Sequence, residues 1–199
     1  ISGKITLLIL SQSEIIYLIF VMIITAIPAG FAAGLFGIGG GLITVPILFY
    51  IFTRAGIDPS YVMHLSVGTS FGIIIPTSIV SVLTHHQHKA VDFKVVRGFG
   101  LSVVTGVILG TILAANLSTK PLILYFTIVV YGLAFYLLFL KEKGENLDIK
   151  IGFLAKTLAG IVSGFVSAPM GIGGAVMNVP ILKYFGYPIN KAIGSAAAI

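Results

Sequence analysis

Apolar residues run uncharged from Ile15 to Leu35, stop at Gly37-Ile38-Gly39-Gly40-Gly41, and resume from Leu42 to Phe52. A helix that crosses the hydrocarbon of a bilayer needs about 20 mostly apolar residues. The first run meets that length, whereas the second, with Pro46 inside it, supplies about half of it. Thr53–Ser60 carries Arg54, Gly56, Asp58 and Pro59 and reads as a turn outside the hydrocarbon. Three longer runs follow at Tyr61–Leu83, Val95–Leu117 and Pro121–Leu140, separated by a His85–Lys94 loop and a Ser118–Lys120 hairpin. Lys141–Lys150 is the most polar stretch. Beyond it the opening pattern returns: an apolar Ile151–Ser167, a break at Pro169–Gly174, and a short apolar Ala175–Phe185. A turn at Gly186–Asn190 leads into a last apolar run, Ala192–Ile199.

Membrane β-strands would alternate apolar and polar residues over about ten positions, and these runs do not alternate. The pattern predicts helices. Composition says which solvent they face: charged residues are 9% of the 199, hydrophobic residues 57%, and the mean hydropathy is +1.11. Soluble domains carry roughly a quarter charged residues, so lipid is the fitting solvent. The expected fold is an all-α integral membrane protein, a multi-pass bundle. Cysteine is absent, which excludes disulfides, thiolate metal sites and cysteine nucleophiles. A formal charge of +6 would point to nucleic acid in a soluble protein, but here the basic residues sit between apolar runs, as orientation signals do. No nucleic-acid partner is expected; the bilayer is. Ile5–Leu10 is too short to span and no cleavage site follows it, so the start is expected to be processed or incompletely represented.

The returning pattern is an internal repeat. Gly37–Leu48 overlies Gly171–Leu182 without a gap, with eight of the twelve positions identical; the differences are Gly41–Thr44 against Ala175–Asn178. Gly30 falls on Gly164 in that register, and with a shorter turn Val67-Gly68-Thr69 falls on Ile193-Gly194-Ser195. Residues 1–149 are therefore expected to form a first transmembrane repeat and residues 150–199 the start of a second. Completing the second on the pattern of the first takes about 70 further residues, so the second repeat is expected to be truncated here.

Each glycine break can be the tip of a hairpin that enters and leaves on one side, or a kink within one crossing. The hairpin leaves Lys4, Arg54 and Lys120 on one face and the other nine Lys and Arg on the opposite face. The single crossing divides the same residues four against eight. The stronger asymmetry favours the hairpin, with His85–Lys94 and Lys141–Lys150 cytoplasmic. It also puts three crossings between the copies, an odd number, so the repeats would be inverted.

Glycine-rich loops also cradle nucleotides, but Leu42 stands where a dinucleotide fingerprint needs its third glycine, and no lysine follows as in a P-loop. A glycine run inside hydrocarbon frees backbone groups and is tolerated only where it is buried in protein or lines a cavity. The short segments starting at Leu42 and Ala175 would aim their N-terminal amides at the break, which makes an anion site without any arginine. Two inverted copies bring two such ends together. The candidate substrate-binding residues are Gly37, Gly39, Gly40, Gly41, Gly171, Gly173 and Gly174, supplemented by Thr69, Ser70, Asn178 and Ser195. The competing interpretation is that the glycines only let helices approach closely and the hydroxyls make ordinary interhelical bonds. Gly106 and Gly110 are read that way. His85, His86 and His88 have no carboxylate or cysteine at ligand spacing, so no metal site is expected, and His64 is read as interfacial. None of the six acids lies deep in an apolar run, and no nucleophile–base pair suggests an enzyme.

At Gly37-Ile38-Gly39-Gly40-Gly41…Pro46 and Gly171-Ile172-Gly173-Gly174…Pro180 the chain resembles the TauE/SafE sulfite-exporter family. Gly68-Thr69-Ser70 and His88-Lys89-Ala90-Val91-Asp92 look like that family too, and the resemblance covers Ile15–Ile199. It implies two four-helix-like halves in the cytoplasmic membrane that move sulfur-containing anions such as sulfite or organosulfonates. The expected activity is alternating-access export of a small oxyanion, with no cofactor. The alternatives are a small-solute or metal-ion channel on the same scaffold, and a non-transporting membrane subunit. Nothing in the sequence decides for or against a homo-oligomer.

Overall fold

The computed structural model describes residues 12–36, 40–139 and 152–199, so Gly37, Gly39, the basic loop Lys141–Lys150 and the first residues fall outside the described ones. Eight α-helices make up the described chain, in which there is no strand. They are α1 (Gln12–Phe36), α2 (Gly41–Arg54), α3 (Val62–Gln87), α4 (Phe93–Asn116), α5 (Thr119–Phe139), α6 (Phe153–Ser167), α7 (Ala175–Tyr184) and α8 (Ile189–Ala197). A 3₁₀ turn, Ala168–Met170, ends α6. Four segments are long and apolar enough to cross a membrane: Val62–Gln87, Phe93–Asn116, Thr119–Tyr136 and Phe153–Met170.

The outward faces suit lipid. On α5, Leu124, Ile128, Tyr131, Phe135 and Leu138 are all exposed, at the alternating four- and three-residue spacing of one helical stripe. The inward faces carry small and polar groups: Ser66, Ser70, Ser163, Ser167, Asn178 and Ser195 are buried. With no hydrophobic drive between helices in lipid, close van der Waals contact takes over, and small residues permit it. The α4–α6 crossing is the clearest case. A Cβ on Gly106 would meet the Ile161 carbonyl, and one on Gly164 the Val103 carbonyl, so each backbone sits in the groove left by the other's glycine.

Two helix borders differ from the sequence expectation. The His85–Lys94 loop shrinks to His88–Asp92, because α3 continues through Gln87. It closes with Lys89 N–H donating to the His86 carbonyl and Ala90 N–H to the His85 carbonyl, which puts Lys89 at φ +54°. Asp92 then caps α4, its carboxylate accepting from the Lys94 amide at 3.0 Å. At the next turn α5 begins at Thr119, whose hydroxyl reaches the Ser60 carbonyl at 2.6 Å.

The helices on either side of each glycine break lie side by side. Met22 and Ile51 are 29 residues apart and would lie on the order of 40 Å from each other in one continuous crossing. Instead they line the same cleft of roughly 170 Å³, with Ala29, Thr44, Leu48 and Thr69. The second break folds back likewise: Ser163 on α6 and Asn178 on α7 are hydrogen-bonded at 2.5 Å. The outgoing arms end alike, in left-handed glycines at Gly56 and Gly186. In each, the next residue's N–H donates to the carbonyl five residues back, Ile57 to Phe52 and Tyr187 to Leu182.

This folding sorts the cations. One end holds the α3–α4 loop with Lys89 and Lys94, against which α8 packs: the Asp92 amide donates to Ser195 Oγ at 3.0 Å, and Gly194 sits on the Ala90 carbonyl. Lys156 lies at that end too, 6.0 Å from the ring of Tyr187. Arg54 and Lys120 flank the turns at the other end, where His64 Nε2 lies 3.2 Å from the Ala114 carbonyl.

Candidate functional site

The two breaks meet. The Gly41 α-carbon is pressed against the Gly171 carbonyl and the Ile172 α-carbon, so closely that a Cβ at Gly41 would overlap both. Gly171 itself has φ +63°, a left-handed conformation that ends the 3₁₀ turn and that side chains disfavour. That conformation turns the chain out of α6 and presents its carbonyl to the first hairpin. There Ser70 of α3 donates to the Gly171 carbonyl at 2.8 Å, completely buried. With its proton committed, the Ser70 oxygen is an acceptor for Thr44 Oγ1 at 3.1 Å. The single Thr44 proton is shared with the Gly40 carbonyl at 3.0 Å. One hydrogen-bonded line thus runs from the first break, through α3, to the second.

The second break has the more distinctive chemistry. Helix α7 starts at Ala175 with Gly174 as its cap residue and no side-chain cap. Its first amides to find a helical acceptor are those of Met177 and Asn178, both on the Gly174 carbonyl. The N–H groups of Gly173, Gly174, Ala175 and Val176 have no acceptor among the described residues. Asn178, one turn on, is fully buried; its Oδ1 accepts from Ser163, while Nδ2 has no partner. Side chains on a helix lean towards its N-terminus, and Nδ2 lies over Gly174, where a Cβ would stand 2.5 Å from it. An unpaired buried donor costs about 1–3 kcal/mol, so a donor left in this state marks a place where an acceptor would be stabilised. The partial positive charge of a helix N-terminus acts in the same direction.

Of the predicted residues, Gly40, Gly41, Ser70, Gly171, Gly173, Gly174 and Asn178 lie along the two breaks, while Thr69 lines the α1–α2–α3 cleft beside Thr44. Ser195 does something else with its hydroxyl, accepting from the Asp92 amide at the loop end. Thr44 and Ser163 are the polar partners the sequence reading missed. A signal existed for Thr44, which aligns with Asn178 as the one polar position within two apolar windows. Ser163 aligns with Ala29 and had no such signal. Outside the spans, the Tyr187 hydroxyl is held above the usual phenol range by burial and by the nearby Asp92 carboxylate. Among the described residues no group of three or more His, Asp or Glu is gathered as metal ligands would be.

The fold is that of an α-helical multi-pass membrane protein in which two helix breaks touch. The chain belongs to the sulfite exporter TauE/SafE family, whose model matches residues 22–199. It is 34% identical over 169 residues to a probable membrane transporter protein of Haemophilus influenzae, covering 85% of this chain and 64% of that one. A probable membrane transporter protein of Methanocaldococcus jannaschii is 29% identical, with 94% of this chain and 70% of the relative aligned. A third, from Bacillus subtilis, is 23% identical over 90% and 72%. The chain thus spans a little under two thirds of the Haemophilus relative. No solved structure matches it.

Proposed function

We propose that this membrane transporter carries a small sulfur-containing oxyanion, sulfite or an organosulfonate, between its two glycine breaks and exports it by alternating access. One observation carries the reading: the buried side-chain atom left unpaired at the second break, Asn178 Nδ2, is a hydrogen-bond donor, and it stands at the start of α7, where the N–H groups of Gly173–Val176 also lack acceptors among the described residues. No Asp or Glu occurs in either hairpin, Ile15–Phe52 or Ile151–Phe185. Such a site repels cations and offers an anion several donors at once. Residues 1–149 would be one repeat and 150–199 the start of its inverted mate, rocking about the line where Gly41 meets Gly171. Neither cofactor nor catalytic chemistry is needed.

The test is flux from proteoliposomes holding the full-length protein, with sulfite, an organosulfonate and a divalent metal compared. Saturable sulfite or sulfonate flux, lost in Gly174→Leu while insertion is unchanged, is the expected result. Metal flux without anion flux would overturn the reading, as would sulfite flux that is indifferent to the substitution.

A further inference from the structure

We infer that Ser163 is a positioning residue that keeps a buried donor open at the second break, by favouring which face of the Asn178 amide looks along α7; this rests on the anion reading above. An asparagine amide can turn over and exchange its oxygen for its nitrogen. Left free beside four unpaired backbone N–H groups, it would turn its oxygen to them and cap the helix itself. The site would then be filled by the protein's own acceptor. The Ser163 hydroxyl competes for that oxygen. Its hydroxyl donates to Asn178 Oδ1 at 2.5 Å, both residues are completely buried, and that is the hydrogen bond its side chain makes. Holding Oδ1 on the α6 side leaves Nδ2 over Gly174, unpartnered, beside the free amides. The orphan donor is therefore held in place by a second residue, and an oxyanion is the group that satisfies the amides and Nδ2 together.

The aligned positions sharpen the assignment. Where the second hairpin has Ser163 and Asn178, the first has Ala29 and Thr44, and Thr44 turns its hydroxyl back to Gly40 and Ser70. The polar side chain of the first hairpin is paired within the protein, whereas that of the second keeps a buried donor open. Substrate affinity is therefore set on the second-hairpin side, by a pair that the glycine pattern shared between the hairpins does not encode.

Sulfite flux by the full-length protein in proteoliposomes tests this through the split between KM and maximal rate. Ser163→Ala releases the amide and is expected to raise the KM for sulfite about tenfold while leaving the maximal rate within twofold. Asn178→Ala should raise it similarly, and adding Ser163→Ala to Asn178→Ala should change nothing more, since no amide remains to orient. Equal falls in maximal rate at unchanged KM would assign Ser163 to packing alone and overturn the inference. So would additive effects in the double variant. Asn178→Asp keeps the shape and the Ser163 bond but presents a carboxylate oxygen to the site; sulfite flux should disappear with insertion intact, and a wild-type KM there would also overturn it. Saturable sulfite flux in the parent protein keeps the anion reading standing even if Ser163 fails, whereas absence of such flux removes both.

Discussion

The hydroxyl of Ser70 donates to the carbonyl of Gly171 across 2.8 Å, joining residues 101 positions apart in the chain. It is the polar link between the two glycine hairpins, and it lies where Gly41 and Gly171 leave no room for a side chain. A carbonyl freed by a left-handed glycine needs a donor once it is buried. Ser70 supplies that donor and receives Thr44 in return.

Ser70→Ala should therefore strand the Gly171 carbonyl. The expected loss is about 1–3 kcal/mol, read as a lower melting temperature in detergent, together with slower flux. Ser70→Thr, which retains the hydroxyl, should lose less. A melting temperature unchanged in Ser70→Ala would show that the bond contributes nothing net.

Neighbouring glycines in the first break should differ sharply. Gly41→Ala puts a methyl into the Gly171 carbonyl and must separate the hairpins, whereas a Cβ at Gly40 meets nothing within 4 Å among the described residues. Overpacking of this kind costs about 1–3 kcal/mol. Gly41→Ala is expected to impair both stability and flux and Gly40→Ala to leave both near the parent level. Thermal melts and flux on the same preparations decide it, and equal behaviour of the two variants would contradict the contact.

Ser195 separates a structural hydroxyl from a substrate contact. Its partner is the Asp92 amide at the end where the α3–α4 loop meets α8. Ser195→Ala should cost about 1 kcal/mol of stability and leave the KM for the transported anion unchanged. A raised KM at normal stability would return Ser195 to the binding site.

Lys89 occupies the left-handed position after α3, with φ +54°. An L-residue there costs roughly 1 kcal/mol, partly offset by the extra freedom glycine has when unfolded. Lys89→Gly should raise the melting temperature slightly, provided the His85–Ala90 closing bond is kept. A fall would mean that the lysine side chain contributes more than its backbone costs.

The sequence by itself determined that the chain is helical, faces lipid, and carries two glycine-interrupted segments of one design. Each of these is written in local terms: run length sets the spans, missing charges set the solvent, and Gly-x-Gly-Gly followed by Pro at matched spacing sets the breaks. The distribution of Lys and Arg also favoured hairpins, and Met22 and Ile51 line one cleft between the arms of the first break. Helix borders were less legible, because the backbone bonds that carry α3 through Gln87 leave no trace in polarity at His85 and His86. What only the tertiary structure decided is who meets whom. Ser70 with Gly171, Asn178 with Ser163, and Ser195 with Asp92 are all pairs between different elements. A buried hydroxyl reads the same in sequence whether it faces a break, a loop or a neighbouring helix. Its role follows from the partner that the crossing of two helices brings within 3 Å, and that crossing is set by glycines whose own backbones must first come into contact.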